Sequence, residues 1–387
     1  MIRGLASNEF RITCVTSHTG RIERYLGHSL LREASVNLRI VYSSYLSLPR
    51  VNRLMRAAET WLRHIPTDSV ADNLRSAPSL ARAIGMTSCG LAHLSDEKVP
   101  IVSAGGPLWG MAGLIASRVL QSPFVFDFED YFPTWESMRR VCATGIQETL
   151  IEAADLVICA SESLEQYARH ASATTTSLVP NGFDPALYFP RDRDRSRLQL
   201  GLPLDRHVLC YAGNLLPRSG ILELVRAVAL LKKRGTATVL VVLGRGPLAE
   251  SVLRLASNLD LGDSVFLKQV QHREVALFLG ASDVLLAPYL RDRRTDFLLV
   301  PVKLAEYMAC GRPIVISDVG EIRRVVIDGE MGLLSKPGMP SDIADKVQMI
   351  LDNPELARSM SLKALHRSRC FAWPSLARRL AQQLRTL

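Results

Sequence analysis

Cysteine is scarce and unpatterned in this chain. Seven occur in 387 residues (Cys14, Cys89, Cys142, Cys159, Cys210, Cys310 and Cys370), an odd number without any CxxC spacing. Neither a zinc ribbon nor a disulfide framework is indicated, and a reduced, cytoplasmic setting is the simple inference. The chain also lacks any run of about 18 apolar residues, so no membrane span is expected. The opening MIRGLASNEFRITCV lacks the apolar core and small-residue cleavage site of a secretory leader. With Gly 24, Pro 20, 48% hydrophobic and 22% charged residues, disordered, collagen-like and repeat-fibre readings fall away. A continuous nucleic-acid stripe is absent too, although the formal charge is +9. Residues 1–100 hold 13 basic and 8 acidic side chains, 101–190 hold 4 and 10, and 191–387 hold 30 and 20. No nucleic-acid partner is therefore expected.

At roughly 150 residues per domain, the length favours two domains, each able to bury its own core. Short apolar runs alternate with amphipathic stretches, the pattern of βαβ units on parallel sheets. Strands are predicted at 12–17, 39–44, 100–105, 124–128, 155–161, 208–213, 238–244, 265–270, 283–288 and 313–317. Ten strands exceed the usual open sheet, so two sheets are expected. Ile221, Leu222, Leu224, Val225, Val228, Ala229 and Leu231 fall at helical spacing and predict one apolar face. The periodicity lapses over 187–207, where Pro190, Gly201, Pro203 and charge accumulate, and the interdomain hinge is placed at 190–207. DRD at 192–194 is read as a chance triplet of a charged linker, so no metal site is assigned. Between 39 and 63, five arginines oppose only Glu59, interleaved with aromatic and aliphatic residues. Such a stretch is either a peripheral contact with an anionic membrane surface or a solvated helix face.

Three features of the second half carry chemistry. YAGNLLPRSG (211–220) is a strand, a Gly-containing turn and a helix start, where exposed N–H groups and the helix dipole favour phosphate. LGRGP (243–247) repeats the strand–Gly turn–helix order without a full GxGxxG, so nothing singles out NAD. In PVKLAEYMACGRPIVISD (301–318), Pro301 suits a helix first turn. The amides of Val302, Lys303 and Leu304 are then expected to be its unpaired donors, with Glu306 one turn on.

From about Asp155 to Asn353 the sequence resembles a GT-B glycosyltransferase, most similar to the retaining, nucleotide-sugar-dependent glycosyltransferase family 4. The resemblance runs through LVPNGFDPALYFP, YAGNLLPRSGILELVRA, LGRGPLAESVLRLASNLDLGDSVFLKQV and KLAEYMACGRPIVISDVGEIRRVVIDGEMGLL in order, and FAWPSLARRLAQQL resembles the closing helix. It implies an α/β fold with two Rossmann-like doubly wound domains facing across a cleft. Residues 1–189 would bind acceptor, 190–370 would bind nucleotide-sugar, and a helix at 371–387 would cross back to the first domain.

Glu306 falls on the second acid of the family's E-x7-E motif, which holds ribose hydroxyls, but the first acid's place is taken by Leu298, with Asp296 the nearest carboxylate. The family's diphosphate-binding Arg and Lys fall on Asn214 and Ser219, so Arg218 and Lys303 are the expected substitutes. Gly213, Gly244, Gly246, Val270, Val302 and Leu304 complete the implied donor site. In the first domain, VTSHTGRIERY keeps Gly20 of a donor loop, with His18 and Arg21 beside it as acceptor candidates. VFDFEDYFP ends in Glu129 and Asp130 where relatives place catalytic residues; strand alternation aims Asp127 and Glu129 together, leaving Asp130 to turn towards the ligand. The implied activity is retaining transfer of a sugar from a UDP-sugar, or from GDP-mannose as second choice. The acceptor would be a sugar, lipid-linked or small-molecule hydroxyl, and no metal or other cofactor is needed. Leu298, Asn214 and Ser219 keep two alternatives open, a catalytically reduced scaffold of polysaccharide assembly and an epimerase of the same fold.

Overall fold

The structure is a computed structural model that describes residues 12–16, 38–42, 101–103, 106–134, 144–293, 295–297 and 300–387. The chain divides into two compact units, Met1–Pro180 with Pro374–Leu387, and Asn181–Trp373. In the first unit β1 (Ile12–Thr16) and β2 (Leu38–Tyr42) pair in parallel. A second parallel sheet has the order β3 (Ile101–Ser103), β4 (Phe124–Phe128), β5 (Leu156–Cys159), β6 (Thr176–Leu178). Its crossovers are α1 (Pro107–Leu120), α2 (Thr144–Ala153) and α3 (Glu162–His170). Phe124, Val125, Phe126 and Phe128 are all fully buried because helices cover both faces of a parallel sheet. Gly110 lets α1 close on α2, since a Cβ there would stand 3.1 Å from the Phe126 ring and collide with Leu150.

The second unit opens with α4 (Arg193–Leu200) and continues β7 (His207–Ala212), α5 (Ile221–Lys233), β8 (Thr238–Leu243), α6 (Ala249–Asn258), β9 (Val265–Lys268), α7 (His272–Ala281), β10 (Val284–Ala287), α8 (Val302–Ala309), β11 (Ile314–Ser317), β12 (Leu333–Ser335), α9 (Pro340–Leu351) and α10 (Pro354–Ser368). Its six strands are all parallel, in the order β12-β11-β10-β7-β8-β9. The chain winds outward from β7 to β9, then returns to place β10 on the other side of β7. That reversal is the topological switch point at which open α/β sheets bind ligands. Ile221, Leu224, Val225, Val228, Ala229 and Leu231 of α5 are buried against the sheet as their spacing requires, with Leu222 partly buried beside them. α11 (Trp373–Leu384) closes the chain, and residues from Pro374 onward belong to the first unit.

Two features differ from the sequence reading. The units part at Pro180 and Asn181, nine residues before the expected 190: Asn181 donates to the Val300 carbonyl (3.0 Å), and the Phe183 amide to that of Phe371 (3.0 Å). The charged stretch placed as a linker also contains a packed helix. Arg197 of α4 is 2% exposed, pairs with Asp283, and donates to the carbonyls of Ala281 (2.9 Å) and Arg206 (3.3 Å). Asp192 of the DRD triplet caps α4 at the Arg195 amide (2.7 Å), and Asp194 pairs with Arg193 (2.9 Å).

Candidate functional site

The carboxyl ends of β7 and β10 flank the switch point, and the loops beyond them are built around glycine because their backbones nearly touch. Gly220, with φ 64°, packs on the Pro288 carbonyl, which any Cβ would strike, and Leu290 donates to the Arg218 carbonyl at 3.0 Å. The turn after β8 joins them: Gly213 donates to Leu243 (2.8 Å) and Leu215 to Arg245 (2.9 Å). A side chain at Gly244 would run into the Gly213 oxygen, and one at Gly246 would stand 2.5 Å from the Leu215 oxygen.

Lys303, in the first turn of α8, reaches beneath this turn. Its Nζ lies 4.0 Å from the Tyr211 ring centroid and 5.1 Å from that of Tyr289, and a Cβ on Gly213 would be 2.6 Å from it. Tyr211 in turn donates to the Asn214 carbonyl (2.9 Å), fixing the turn above the ammonium. Burial opposes the charge on Lys303, but Tyr211, Tyr289 and Glu306 outweigh it and hold the ammonium above its ordinary pKa. Arg218, half-buried in the turn Pro217–Ser219, acts with Lys303 on Tyr289. The two cations expected to replace the missing pair are thus gathered around one tyrosine at the switch point.

One turn further along α8, Glu306 is 8% exposed. Burial pushes its carboxyl up to about 7, against the pull of a hydrogen bond from Tyr188 and the charge of Lys303. Tyr188 lies in the segment leading to α4, and its hydroxyl also sits 3.4 Å from His272 Nε2 at the start of α7.

The remaining expected donor residues divide. Val302 is exposed, but the Leu304 amide is paired with the Pro301 carbonyl at 2.8 Å, so it is not one of the unpaired donors expected of that turn. The tight 3₁₀-like geometry of the first turn consumes it. Asn214 is exposed, whereas Ser219 is buried, with its Oγ lacking a hydrogen-bond partner among the described residues. Asp296 is exposed on a short turn anchored by Asp292 and Thr295. Val270, just beyond β9, lines a cavity of about 720 Å³ with Arg191, Lys268, Arg273 and Phe278. In the first unit Glu129 is exposed and Asp130 half-buried at the end of β4, while burial and then Glu129 push Asp127 up to about 7. His18, Gly20, Arg21, Leu298 and residues 43–63 of the basic stretch lie outside the described residues. Sequence reasoning passed over Tyr188, Tyr211, Tyr289 and His272. Tyr211 ends a predicted strand directly before the glycine turn, which was the available signal.

Residues 192–367 match the family described as Glycosyl transferases group 1. The chain is 31% identical over 253 residues to a D-inositol 3-phosphate glycosyltransferase of a Nocardioides species, covering 60% of this chain and 54% of that protein. It therefore spans about half the length of that relative. A D-inositol 3-phosphate glycosyltransferase 1 of Catenulispora acidiphila is 25% identical over 382 residues, 93% of this chain and 89% of the relative. Among solved structures, Anabaena Alr3699/HepE in complex with UDP superposes with TM-score 0.75 at 18% identity, covering 100% of this chain and 95% of that one. Sucrose-phosphate synthase from Thermosynechococcus elongatus gives TM-score 0.71 at 22% identity, covering 99% and 90%. The fold is accordingly the α/β, parallel-sheet fold of GT-B glycosyltransferases with their two Rossmann-like domains. No helix among the described residues is long and apolar enough to cross a membrane.

Proposed function

We propose that this protein is a retaining glycosyltransferase that moves a sugar from a nucleoside diphosphate sugar, UDP-linked by first choice, to an acceptor hydroxyl. The observation that carries this reading is the switch point of the second unit. There Lys303 and Arg218 gather beside the Gly213 turn, and Glu306 stands one helical turn from Lys303. In a bound donor, the ammonium and guanidinium face the diphosphate, and the start of α5 adds its dipole. These groups favour the transition state because negative charge grows on the diphosphate as the glycosidic bond breaks, and the cations are already in place. Glu306 accepts from the ribose hydroxyls, for which it must be ionised. Asn214 and Ser219 offer no charge, so the cationic work falls on the two substitutes. The acceptor is assigned to the first unit, with Glu129 and Asp130 at the β4 end as its catalytic candidates and His18 and Arg21 as acceptor contacts.

The names of the relatives add a cyclitol phosphate to the lipid-linked, sugar and natural-product acceptors worth assaying. The test is to incubate purified protein with UDP-glucose, other UDP-sugars and GDP-mannose, with and without this acceptor panel, and to follow donor and product by mass spectrometry. Acceptor-dependent release of nucleoside diphosphate, with an α-linked product from an α-linked donor, is the expected result. Conversion of donor alone to an epimer, or donor binding without turnover on any acceptor, refutes it.

A further inference from the structure

β7 and β10 are the two strands at which the sheet order reverses, and their pairing stops early. The register runs Val284↔Leu209 and Leu285↔Cys210 and goes no further. Yet β7 stays paired with β8 as far as Ala212↔Leu243, and β10 with β11 as far as Ala287↔Ile316. The Leu285 amide donates away from β7, to the Pro313 carbonyl just before β11 (2.9 Å), so the peptide groups of Leu286 face β7. In unbroken register the next rung would join the Ala212 amide to the Leu286 carbonyl. One side chain of α8 meets both instead. The Ala212 amide donates to the Tyr307 hydroxyl at 2.7 Å, and that hydroxyl donates to the Leu286 carbonyl at 3.4 Å. Tyr307 and Leu286 are fully buried and Ala212 is buried beside them.

A hydroxyl accepts and donates at once, so it can replace a rung while keeping both backbone groups paired. A direct N–H···O rung spans about 2.9 Å; here an oxygen stands between the two groups, and the strand ends are held further apart. A phenylalanine would fill the same volume but leave a buried N–H and a buried C=O without each other or a partner. The hydroxyl is therefore what this position adds. Its effect reaches the site through two neighbours. Ala212 leads directly into Gly213, whose amide is tied to the Leu243 carbonyl at 2.8 Å, and Lys303 lies four residues before Tyr307, on the same face of α8. One rigid helix face thus carries both the ammonium under the Gly213 turn and the rung that fixes where that turn begins. We propose that Tyr307 is a positioning residue: its hydroxyl, inserted between β7 and β10, holds the strand ends apart and sets the Gly213 turn over Lys303 in the arrangement that receives the diphosphate. The consequence for the ligand rests on the reading of Lys303 as the diphosphate-facing cation.

The experiment is Tyr307→Phe in the full chain, read in two ways. Hydrogen–deuterium exchange without ligand is expected to be faster over 209–214, because the Ala212 amide has lost its acceptor. Calorimetric titration is expected to show UDP bound about tenfold more weakly, the loss of one well-placed diphosphate contact, with uridine affinity unchanged. Asp283→Asn is the comparison: it disturbs the opposite end of the same strand pair, where Asp283 accepts from the Val208 amide at 2.7 Å, and should lower stability without weakening UDP. Tyr307→4-aminophenylalanine keeps a donor at the same place and is expected to restore most of the affinity. It carries the test if Tyr307→Phe does not fold, and a full tenfold loss in it overturns the proposal. Unmoved exchange over 209–214 in Tyr307→Phe overturns it too, as does an equal loss of UDP affinity in Asp283→Asn, the mark of general destabilisation. If the unsubstituted protein does not bind UDP, the donor reading fails, while the exchange measurement still decides whether Tyr307 holds the strand ends.

Discussion

Replacing Lys303 with methionine isolates the charge at the centre of the site. The methionine stem fills the volume between Tyr211 and Tyr289, and its thioether makes favourable contact with aromatic rings, so packing is largely conserved. What disappears is an ammonium 4.0 Å from one ring and 5.1 Å from the other. That pairing contributes about 0.5–2 kcal/mol to stability, a modest fall in melting temperature. The larger effect falls on the ligand. A charge-assisted hydrogen bond to the diphosphate is worth about 1.5–3 kcal/mol, and each 1.4 kcal/mol is about tenfold in affinity. UDP should therefore bind about 10- to 150-fold more weakly. Because Lys303 is half-buried beneath Gly213, the loss should persist at high salt, where exposed charges are screened. The assay is calorimetric titration of UDP and of uridine against both proteins. UDP affinity is expected to fall and uridine affinity to stay unchanged. Equal UDP affinity in the two proteins, or an equal loss for both ligands, refutes the placement of the diphosphate beside Lys303.

Two further predictions concern the scaffold. Asp283→Asn strands the buried Arg197 guanidinium and should cost about 3–5 kcal/mol, measured by urea denaturation, because Asp283 also receives Arg193 (2.9 Å) and the Val208 amide (2.7 Å). An effect below about 1 kcal/mol would show the carbonyls around Arg197 to be sufficient. In the first unit, Asp127 is raised to about 7 by burial and then by Glu129. The linked stability is fully present below about pH 4 and is lost as pH rises through about 7. Asp127→Asn should remove that loss, leaving the variant about 1–3 kcal/mol more stable than the parent at pH 8 and similar at pH 4. Parallel pH profiles of melting temperature would contradict it.

The ten predicted strands are all present, each a run rich in β-branched or aromatic residues, and those inside the sheets, such as β5, β8, β10 and β11, are buried along their whole length. The two strands passed over, Thr176–Leu178 and Leu333–Ser335, are three-residue edge strands. Segments so short carry no periodicity and are defined by the neighbour they pair with. The glycine turns were legible for a similar reason: Gly220, Gly244 and Gly246 are dictated by backbone approach, and Gly213 by the Lys303 side chain packed against it. The Tyr211 wall on Lys303 was not legible, since it joins residues 92 positions apart whose meeting depends on the switch in strand order. The packed helix in the charged stretch was hidden by Arg197, an arginine that is buried through partners remote in sequence. Glu306 was placed by resemblance, yet its degree of burial and its pKa belong to the fold.

The central claim is that the switch point of the second unit holds the nucleoside diphosphate, and hydrogen–deuterium exchange with and without saturating UDP tests it most directly. Exchange is expected to slow in peptides covering the 213–221 turn, the 302–306 start of α8 and the 243–247 turn, with β11, β12 and α9 unchanged. Binding of UDP with protection confined to other segments, or with none at 213–221 and 302–306, would contradict it.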